Sequence, residues 1–299
     1  MQSQLNYTVC DILHVELSSY EFNSSTLAIS PHFTNHIVMV KFLALAAVAA
    51  SAAASAAVQI PQSPPKVING TEVPMGKYSY VTSLRHDETY PSNCIASLVA
   101  PKILVTAAHC SLYEWARFAS IGSHYLNGTM DGERIKIVKR TQHPKYNKAS
   151  RYDYDFAVFE LETASSFPPI KLNWDEDQFS APGVVAWVRG FGTTKSDESQ
   201  SPVLLEADVP IYSNAACQKA FSSLKYNITG SMICAGGESK DVCQGNSGGP
   251  LTVTRNGIEY LVGVTSLGFR CGVKGYPGGY ARISEARDFI EPFLPKTAC

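Results

Sequence analysis

From Val67 onward the chain is a succession of short runs rich in Val, Ile, Tyr and Phe, separated by Gly, Asn, Asp or Pro. Ile103 to Thr106, Ile135 to Val138, Phe156 to Leu161, Val184 to Val188 and Tyr260 to Thr265 are the clearest. β-branched and aromatic side chains suit a pleated, half-buried surface, and the intervening residues suit tight turns. Helical periodicity surfaces only at the end, where Phe289, Ile290, Phe293 and Leu294 share one face and Pro292 limits its length. There is no internal repeat. The pattern predicts an antiparallel all-β domain of closed barrels or sandwiches with a short C-terminal helix.

The rest of the composition narrows the setting. The chain has 299 residues, 45% hydrophobic and 17% charged, which is a globular balance rather than a disordered one. A net charge of -1 gives no overall attraction to polyanions, so no nucleic-acid partner is expected. The eight cysteines contain no C-x-x-C pair, and their wide separation suits long-loop disulfides in an oxidising compartment. Met39-Val40-Lys41, the apolar run Phe42 to Ala50 and the small residues Ser51 to Ala57 have the parts of a secretory signal peptide. The run is too short and too rich in Ala and Ser for a membrane anchor, so no membrane association is expected after its removal. The expected organisation is therefore a signal peptide over 39–56, a Pro-rich propeptide or linker over 57–66, and one secreted domain over 67–299. Translation is expected to begin at Met39, which leaves residues 1–38 as an upstream extension foreign to the mature protein.

Three local signals carry chemistry. They are Thr106-Ala107-Ala108-His109-Cys110, Asp155-Phe156-Ala157-Val158 and Gly245-Asn246-Ser247-Gly248-Gly249-Pro250. Peptide hydrolysis needs a nucleophile, a base to take its proton and a carboxylate to orient that base. Serine is protonated at neutral pH, whereas histidine titrates where it can accept and return a proton. Taken singly, each signal also fits a bland reading: a core histidine, a solvated acid, a glycine turn. Asp153 and Asp155 both stand in Tyr-Asp-Tyr-Asp, and Asp155 is the better candidate because the apolar run that would carry it inward starts directly after it.

In this order the three signals resemble the chymotrypsin/trypsin-like serine proteases, and the resemblance extends from Val67 to about Pro295. It implies two six-stranded antiparallel β-barrels with the site between them, and His109, Asp155 and Ser247 as catalytic triad. It implies disulfides Cys94–Cys110, Cys217–Cys234 and Cys243–Cys271; with Cys10 lost in the upstream extension, that leaves Cys299 for a possible intermolecular partner. It assigns the oxyanion hole to the backbone N–H groups of Gly245 and Ser247, and to Ser266 a hydrogen bond to the triad aspartate. Asp241 matches the floor of the pocket that receives a substrate Arg or Lys, and Gly268 and Gly278 match its open walls. Leu267, Arg270 and Val242 depart from the usual residues around that pocket.

The resemblance also makes Lys66-Val67 an activation junction, where cleavage would free the Val67 amine to pair with the residue before the serine. That residue is Asn246 here and an aspartate in the family; an amide accepts a hydrogen bond from an ammonium but cannot neutralise it. The reaction is complete in side chains and backbone, so no cofactor is expected, and Gly122 to Glu133 lacks the family's acidic metal-ligand pattern. Asn69, Asn127 and Asn227 each begin an N-x-[ST] sequon. The expected function is a secreted serine endopeptidase acting on protein or peptide substrates after Arg or Lys. The alternative is a weak or inactive homologue that uses the same fold as a binding or inhibitory module. An esterase of the α/β-hydrolase type is disfavoured, because the serine lacks a G-x-S-x-G elbow in a strand–helix setting.

Overall fold

The computed structural model describes residues 70–87, 94–112, 115–175, 179–193, 199–222, 226–237, 245–268 and 273–296. Within them, twelve of fourteen strands make two closed barrels. The first joins β2 (Val81–Arg85), β3 (Cys94–Ala100), β4 (Ile103–Thr106), β7 (Ala157–Leu161), β6 (Glu133–Gln142) and β5 (Phe118–Ile121) in that order, and β5 pairs back to β2. The second runs through β10 (Leu205–Tyr212), β11 (Met232–Ala235), β14 (Gly278–Arg282), β13 (Ile258–Leu267), β12 (Pro250–Arg255) and β9 (Val185–Gly190). It closes where β9 pairs with β10, Leu205 opposite Gly190 through Pro210 opposite Val185. All twelve barrel strands are antiparallel to their neighbours, as expected of sequential strands joined by short turns. Two short strands lie outside the rings: β1 (Thr71–Glu72) on β10, and β8 (Lys171–Leu172), which pairs in parallel with β13.

Full closure removes free sheet edges and lets each barrel fill with its own side chains. Leu84, Leu98, Leu104, Ile121 and Phe159 fill the first. Val188, Val209, Ile233, Leu251 and Val262 fill the second. A polar clasp ties the two together. Tyr80, just before β2, donates its hydroxyl to Glu259 of β13 (2.8 Å), and the buried Arg189 of β9 pairs with both Glu259 (2.7 Å) and Glu206 of β10 (3.1 Å).

Helix is scarce. The terminal segment forms α2 (Arg287–Ile290), which tightens at Glu291–Phe293 into a 3-10 turn carrying Pro292 near its start, where the missing N–H costs nothing. The other helix, α1 (Asn214–Ala220), is one that periodicity does not announce: among its residues only Cys217 is buried. Its signal is local. Ser213 caps it by accepting from the Ala216 N–H (3.2 Å), and the Cys217–Cys234 disulfide fastens it to β11. Among the described residues no helix is long and apolar enough to cross a membrane.

His143, which follows β6, packs the terminal helix onto the first barrel. Its ring stacks on Tyr154 and meets Phe289 edge-on, both at 4.7 Å between centroids, and its Nδ1 accepts the Lys145 N–H (3.1 Å). Burial, aided by the Lys145 charge, pushes its pKa down to about 4. The unfolded chain then binds a proton below about pH 6.5 that the folded chain refuses until about 4. Stability is therefore fully present above the unfolded value and drains away as pH falls through this window, by about 3 kcal/mol for this group. Urea midpoints measured at pH 7 and pH 4.5 should fall more steeply for the wild type than for His143→Phe; equal slopes would remove His143 from the account of acid sensitivity.

Candidate active site

His109 lies in a 3-10 turn, Ala108–Ser111, that follows β4. Asp155 stands two residues before β7, the strand paired with β4, so the two meet across neighbouring strand ends. The contact is bidentate. Asp155 Oδ2 accepts from His109 Nδ1 at 2.7 Å, and Oδ1 accepts the His109 backbone N–H at 2.9 Å. A third donor, the Ser266 hydroxyl, reaches Oδ2 at 2.6 Å. Ser266 gets there because the β13–β14 register shifts between Thr265 and Leu267, a bulge that re-aims the intervening side chain. Asp155 is 0% exposed, and its three donors supply what such burial requires of a carboxylate. The imidazole keeps about a fifth of its surface in solvent, which leaves Nε2 able to face a ligand.

Asp153, the other acid of the Tyr-Asp-Tyr-Asp run, points elsewhere. Its Oδ1 accepts from Thr229 and Ser231, both at 2.6 Å, and so pins the loop to the second barrel. Chain direction separates the two aspartates: Tyr152 and Tyr154 both take positive φ (64° and 48°), so the backbone turns sharply on either side of Asp153.

Ser247 arrives from the second barrel and is held by its backbone. Its carbonyl accepts from Ile95 N (2.7 Å), and it forms an isolated bridge with Cys94 at the start of β3. Cys94 is in turn disulfide-bonded to Cys110, the neighbour of His109. The next two residues are fixed to β13, since Gly248 N donates to Thr265 O and Thr265 N donates to Gly249 O, both at 2.8 Å. Gly248 has φ +78°, and any Cβ there would collide with Ile95 O and Thr106 Oγ1, so the chain passes directly against the strand that leads to His109. Among the described residues no hydrogen bond yet joins Ser247 Oγ to the imidazole; such contacts commonly tighten only when substrate binds.

The disulfide thus fastens the histidine turn to β3, the strand to which the Ser247 backbone is hydrogen-bonded. It closes a loop of 16 residues, for which the chain-entropy model gives about 3 kcal/mol. Cys94→Ala/Cys110→Ala should lose about that much unfolding free energy in urea; an unchanged midpoint and slope would show that native strain cancels the entropy gain.

The Cys94, His109 and Cys110 donor atoms lie within 4.8 Å of one another, but both sulfurs are spent in the disulfide and offer no thiolate. In the segment from Gly122 to Glu133, Asp131 is occupied by Ser123 Oγ (2.6 Å) and His124 N (2.7 Å). Glu133 accepts from Ser166, whose hydroxyl approaches it closely.

Gly245 carries φ +92°, a conformation open to glycine, and the Gln200 side chain packs where a Cβ would stand. Asn246 is 1% exposed. Its Oδ1 accepts the Gly192 N–H (3.0 Å), and its carboxamide fills the space that side chains at Gly190 and Gly192 would need. Sequence reading did not single out either glycine; nothing local marks them, because their partner is 54 residues away.

On the pocket side, Gly268 directly follows β13 with open space where a Cβ would project, and Gly278 starts β14 as a buried residue. Leu267, the last residue of β13, is buried in a cluster with Cys217, Phe221, Met232 and Cys234. The disulfide Cys217–Cys234 forms as the resemblance implied. Asp241, Val242, Cys243, Arg270, Cys271, Lys66, Val67, Asn69 and Cys299 lie outside the described residues. Of the other sequons, Asn127 and Asn227 are both exposed.

A buried carboxylate, an imidazole and a serine loop brought together between two six-stranded barrels invite comparison with known proteins. The trypsin family model matches residues 67–290. The chain is 37% identical over 237 residues to trypsin 5G1 of Aedes aegypti, covering 76% of this chain and 84% of that protein. It is also 35% identical over 229 residues to glucanase inhibitor protein 1 of Phytophthora infestans, covering 75% and 86%. Glucanase inhibitor protein 2 of Phytophthora sojae aligns at 31% over 234 residues, covering 76% and 79%. By fold, by matched span and by these relatives, the chain belongs to the trypsin family.

Proposed function

We propose that the protein is a secreted serine endopeptidase that cleaves peptide bonds through an acyl-enzyme, with His109, Asp155 and Ser247 as triad. The observation that carries the reading is the buried Asp155, which accepts from His109 Nδ1, His109 N and Ser266 Oγ at once. A surface used only for binding has no need of a fully desolvated carboxylate aimed at an imidazole. In the proposed reaction, His109 Nε2 takes the Ser247 proton as Oγ attacks the substrate carbonyl, and Asp155 holds the tautomer and stabilises the imidazolium. The N–H groups of Gly245 and Ser247 receive the developing oxyanion, worth about 2.7–4 kcal/mol per donor. His109 then returns the proton to the leaving amine, and water repeats the sequence on the acyl-enzyme.

Cleavage after Arg or Lys is the specificity this reading includes, resting on Asp241 by family register and on Gly268 and Gly278 as walls. Secretion rests on the leader over 39–56 and on two disulfides that favour an oxidising compartment. The activating cut is placed after Lys66, so that the working domain is 67–299.

A second reading has its own observation: several relatives bear the name glucanase inhibitor, which makes a binding or inhibitory module the competing function. The two separate cleanly. Protein expressed from Met39, cut after Lys66 and treated with a serine-directed fluorophosphonate should label stoichiometrically, and Ser247→Ala should abolish the label. Absence of labelling under conditions that label trypsin would transfer the conclusion to the binding module.

A further inference from the structure

The loop that delivers Asp155 carries more than the triad needs. Between His143 and Asp155 it exposes Lys145, Lys148 and Arg151, whereas its two acids, Asp153 and Asp155, are both buried. The outward charge of the segment is therefore wholly positive. None of the three cations is paired with a carboxylate among the described residues. Elsewhere on the surface, Lys136, Lys139 and Arg287 are each paired with a glutamate.

Aromatic rings are interleaved with these charges. The Arg151 guanidinium lies 5.0 Å from the Tyr152 ring centroid and 5.9 Å from that of Tyr226, and the Lys145 ammonium lies 4.9 Å from Tyr154. Stacking on rings restrains the cations without neutralising them, so they remain available to an anion. Tyr152 also meets the His109 imidazole edge-on, with centroids 6.2 Å apart. Through Tyr152, the Arg151 end of the loop borders the candidate catalytic centre.

The loop is rigid as well as charged. Three of the four non-glycine residues with positive φ among the described residues are Asn147, Tyr152 and Tyr154. Such strain persists only where the surroundings over-determine it, and it gathers at binding sites. Here the restraints are explicit: Tyr152 N donates to Asn147 Oδ1 (2.6 Å), Tyr154 N to Ser231 Oγ (3.0 Å), and Ser150 Oγ to Asn227 O (3.1 Å). A pre-ordered surface loses little entropy when a partner docks.

We infer that the 143–154 loop is a docking surface for an acidic, aromatic-containing segment of a protein partner, which it leads toward His109. The inference extends the proposed function, since the cleft reached from this loop is the one assigned there to peptide cleavage. A peptide fits better than a long polyanion. The cations stand on one short loop with rings between them, and the chain's overall charge of -1 offers no extended basic track.

The test reads binding rather than turnover, so it stands apart from whether Ser247 is active. Fluorescein-labelled twelve-residue peptides of Glu, Asp and Tyr, free of Lys and Arg, are titrated by anisotropy against the mature protein. Their isosteric Gln/Asn counterparts serve as the neutral control. The acidic peptide should bind at least about tenfold more tightly at low salt, with most of that advantage lost near 0.5 M NaCl through screening. Lys145→Glu/Lys148→Glu/Arg151→Glu should erase the difference, whereas the same charge change at Lys171, Lys219 and Lys274 should preserve it. Circular dichroism of both triple variants guards against unfolding, and the single variant Arg151→Gln, expected to lose part of the advantage, serves if the triple one misfolds. Equal binding of acidic and amide peptides, or equal loss in the control variant, would overturn the inference. Capture of a heparin oligosaccharide through these three residues without capture of the peptide would overturn it in favour of a polyanionic glycan. If fluorophosphonate labelling fails while acidic binding persists, only the endopeptidase reading falls; the reverse result removes only the docking surface.

Discussion

Asp155→Asn should lower kcat toward a Lys/Arg peptide substrate by about 10⁴-fold, the loss the Ser-His-Asp template shows when its acid becomes an amide. The hydrogen bonds in this protein explain why. Asp155 Oδ1 faces the His109 backbone N–H, and Oδ2 faces both His109 Nδ1 and the Ser266 hydroxyl. An asparagine must put its NH₂ on one side or the other. On the Oδ1 side it would set donor against donor at a buried backbone N–H, a conflict of about 1–3 kcal/mol. On the Oδ2 side it finds a serine hydroxyl that can rotate to accept, and an imidazole nitrogen that can accept if its proton moves to Nε2. The second arrangement is the easier one, and it leaves His109 with no lone pair toward Ser247. Steady-state kinetics on protein of verified fold checks this. A loss of less than about tenfold would mean that Asp155 does not set the tautomer, since a general base contributes at least 10²-fold. Asp153→Asn, in the same loop but bonded to Thr229 and Ser231, is the control and should leave the chemistry untouched.

The second large effect concerns Asn246, and its sign depends on the state of the chain. Asn246 is buried, and Gly192 N–H donates to its Oδ1. Asn246→Asp would put a carboxylate in that space. In chain left uncut, held so by Lys66→Gln, the new charge has no freed Val67 ammonium to meet. A buried charge whose partner is missing costs about 3–5 kcal/mol, so the uncut variant should lose stability on that scale or expel the loop around Ser247. After cleavage at Lys66 the ammonium is supplied, a charge-assisted bond replaces an amide contact, and the active fraction should exceed that of the wild type. Urea unfolding of the cut and uncut forms, with active-site titration of the cut form, measures both halves. The same destabilisation in both forms would rule out pairing between residue 246 and the new N-terminus. The wild-type amide, by contrast, already satisfies its Gly192 contact without a charge, so its loop depends less on the cut.

These outcomes bear on which biochemical role the fold serves here. Within one family, relatives carry the names trypsin and glucanase inhibitor. The histidine–aspartate geometry of this chain retains the chemical half of the family's design. In the proposed function, Asn246 weakens the coupling of that chemistry to proteolytic activation, and the proposed docking loop sets a recognition surface beside it.

How far the one-dimensional pattern reaches follows from the range of the forces involved. Alternating apolar runs and turn residues are local, so the strands at Ile103–Thr106, Ala157–Leu161 and Ile258–Leu267 could be read directly. The three candidate catalytic residues were legible for a different reason: each sits in a short motif whose neighbours are needed for its chemistry. Helix α1 was not, because a capped segment that buries only one side chain leaves no periodic trace. Nor could sequence separate Asp153 from Asp155 except by the apolar run that follows, whereas the backbone turns at Tyr152 and Tyr154 send the two carboxylates to different partners. The all-β architecture, the three candidate catalytic side chains and the amide at position 246 are legible in the residues alone. That Ser266 is the third donor to Asp155, that Gly190 and Gly192 cradle Asn246, and that Lys145, Lys148 and Arg151 have no carboxylate partner among the described residues emerges only in the folded chain. Those contacts join residues far apart along the chain, and closure of the two barrels, not any local preference, brings them within hydrogen-bonding and Coulombic range.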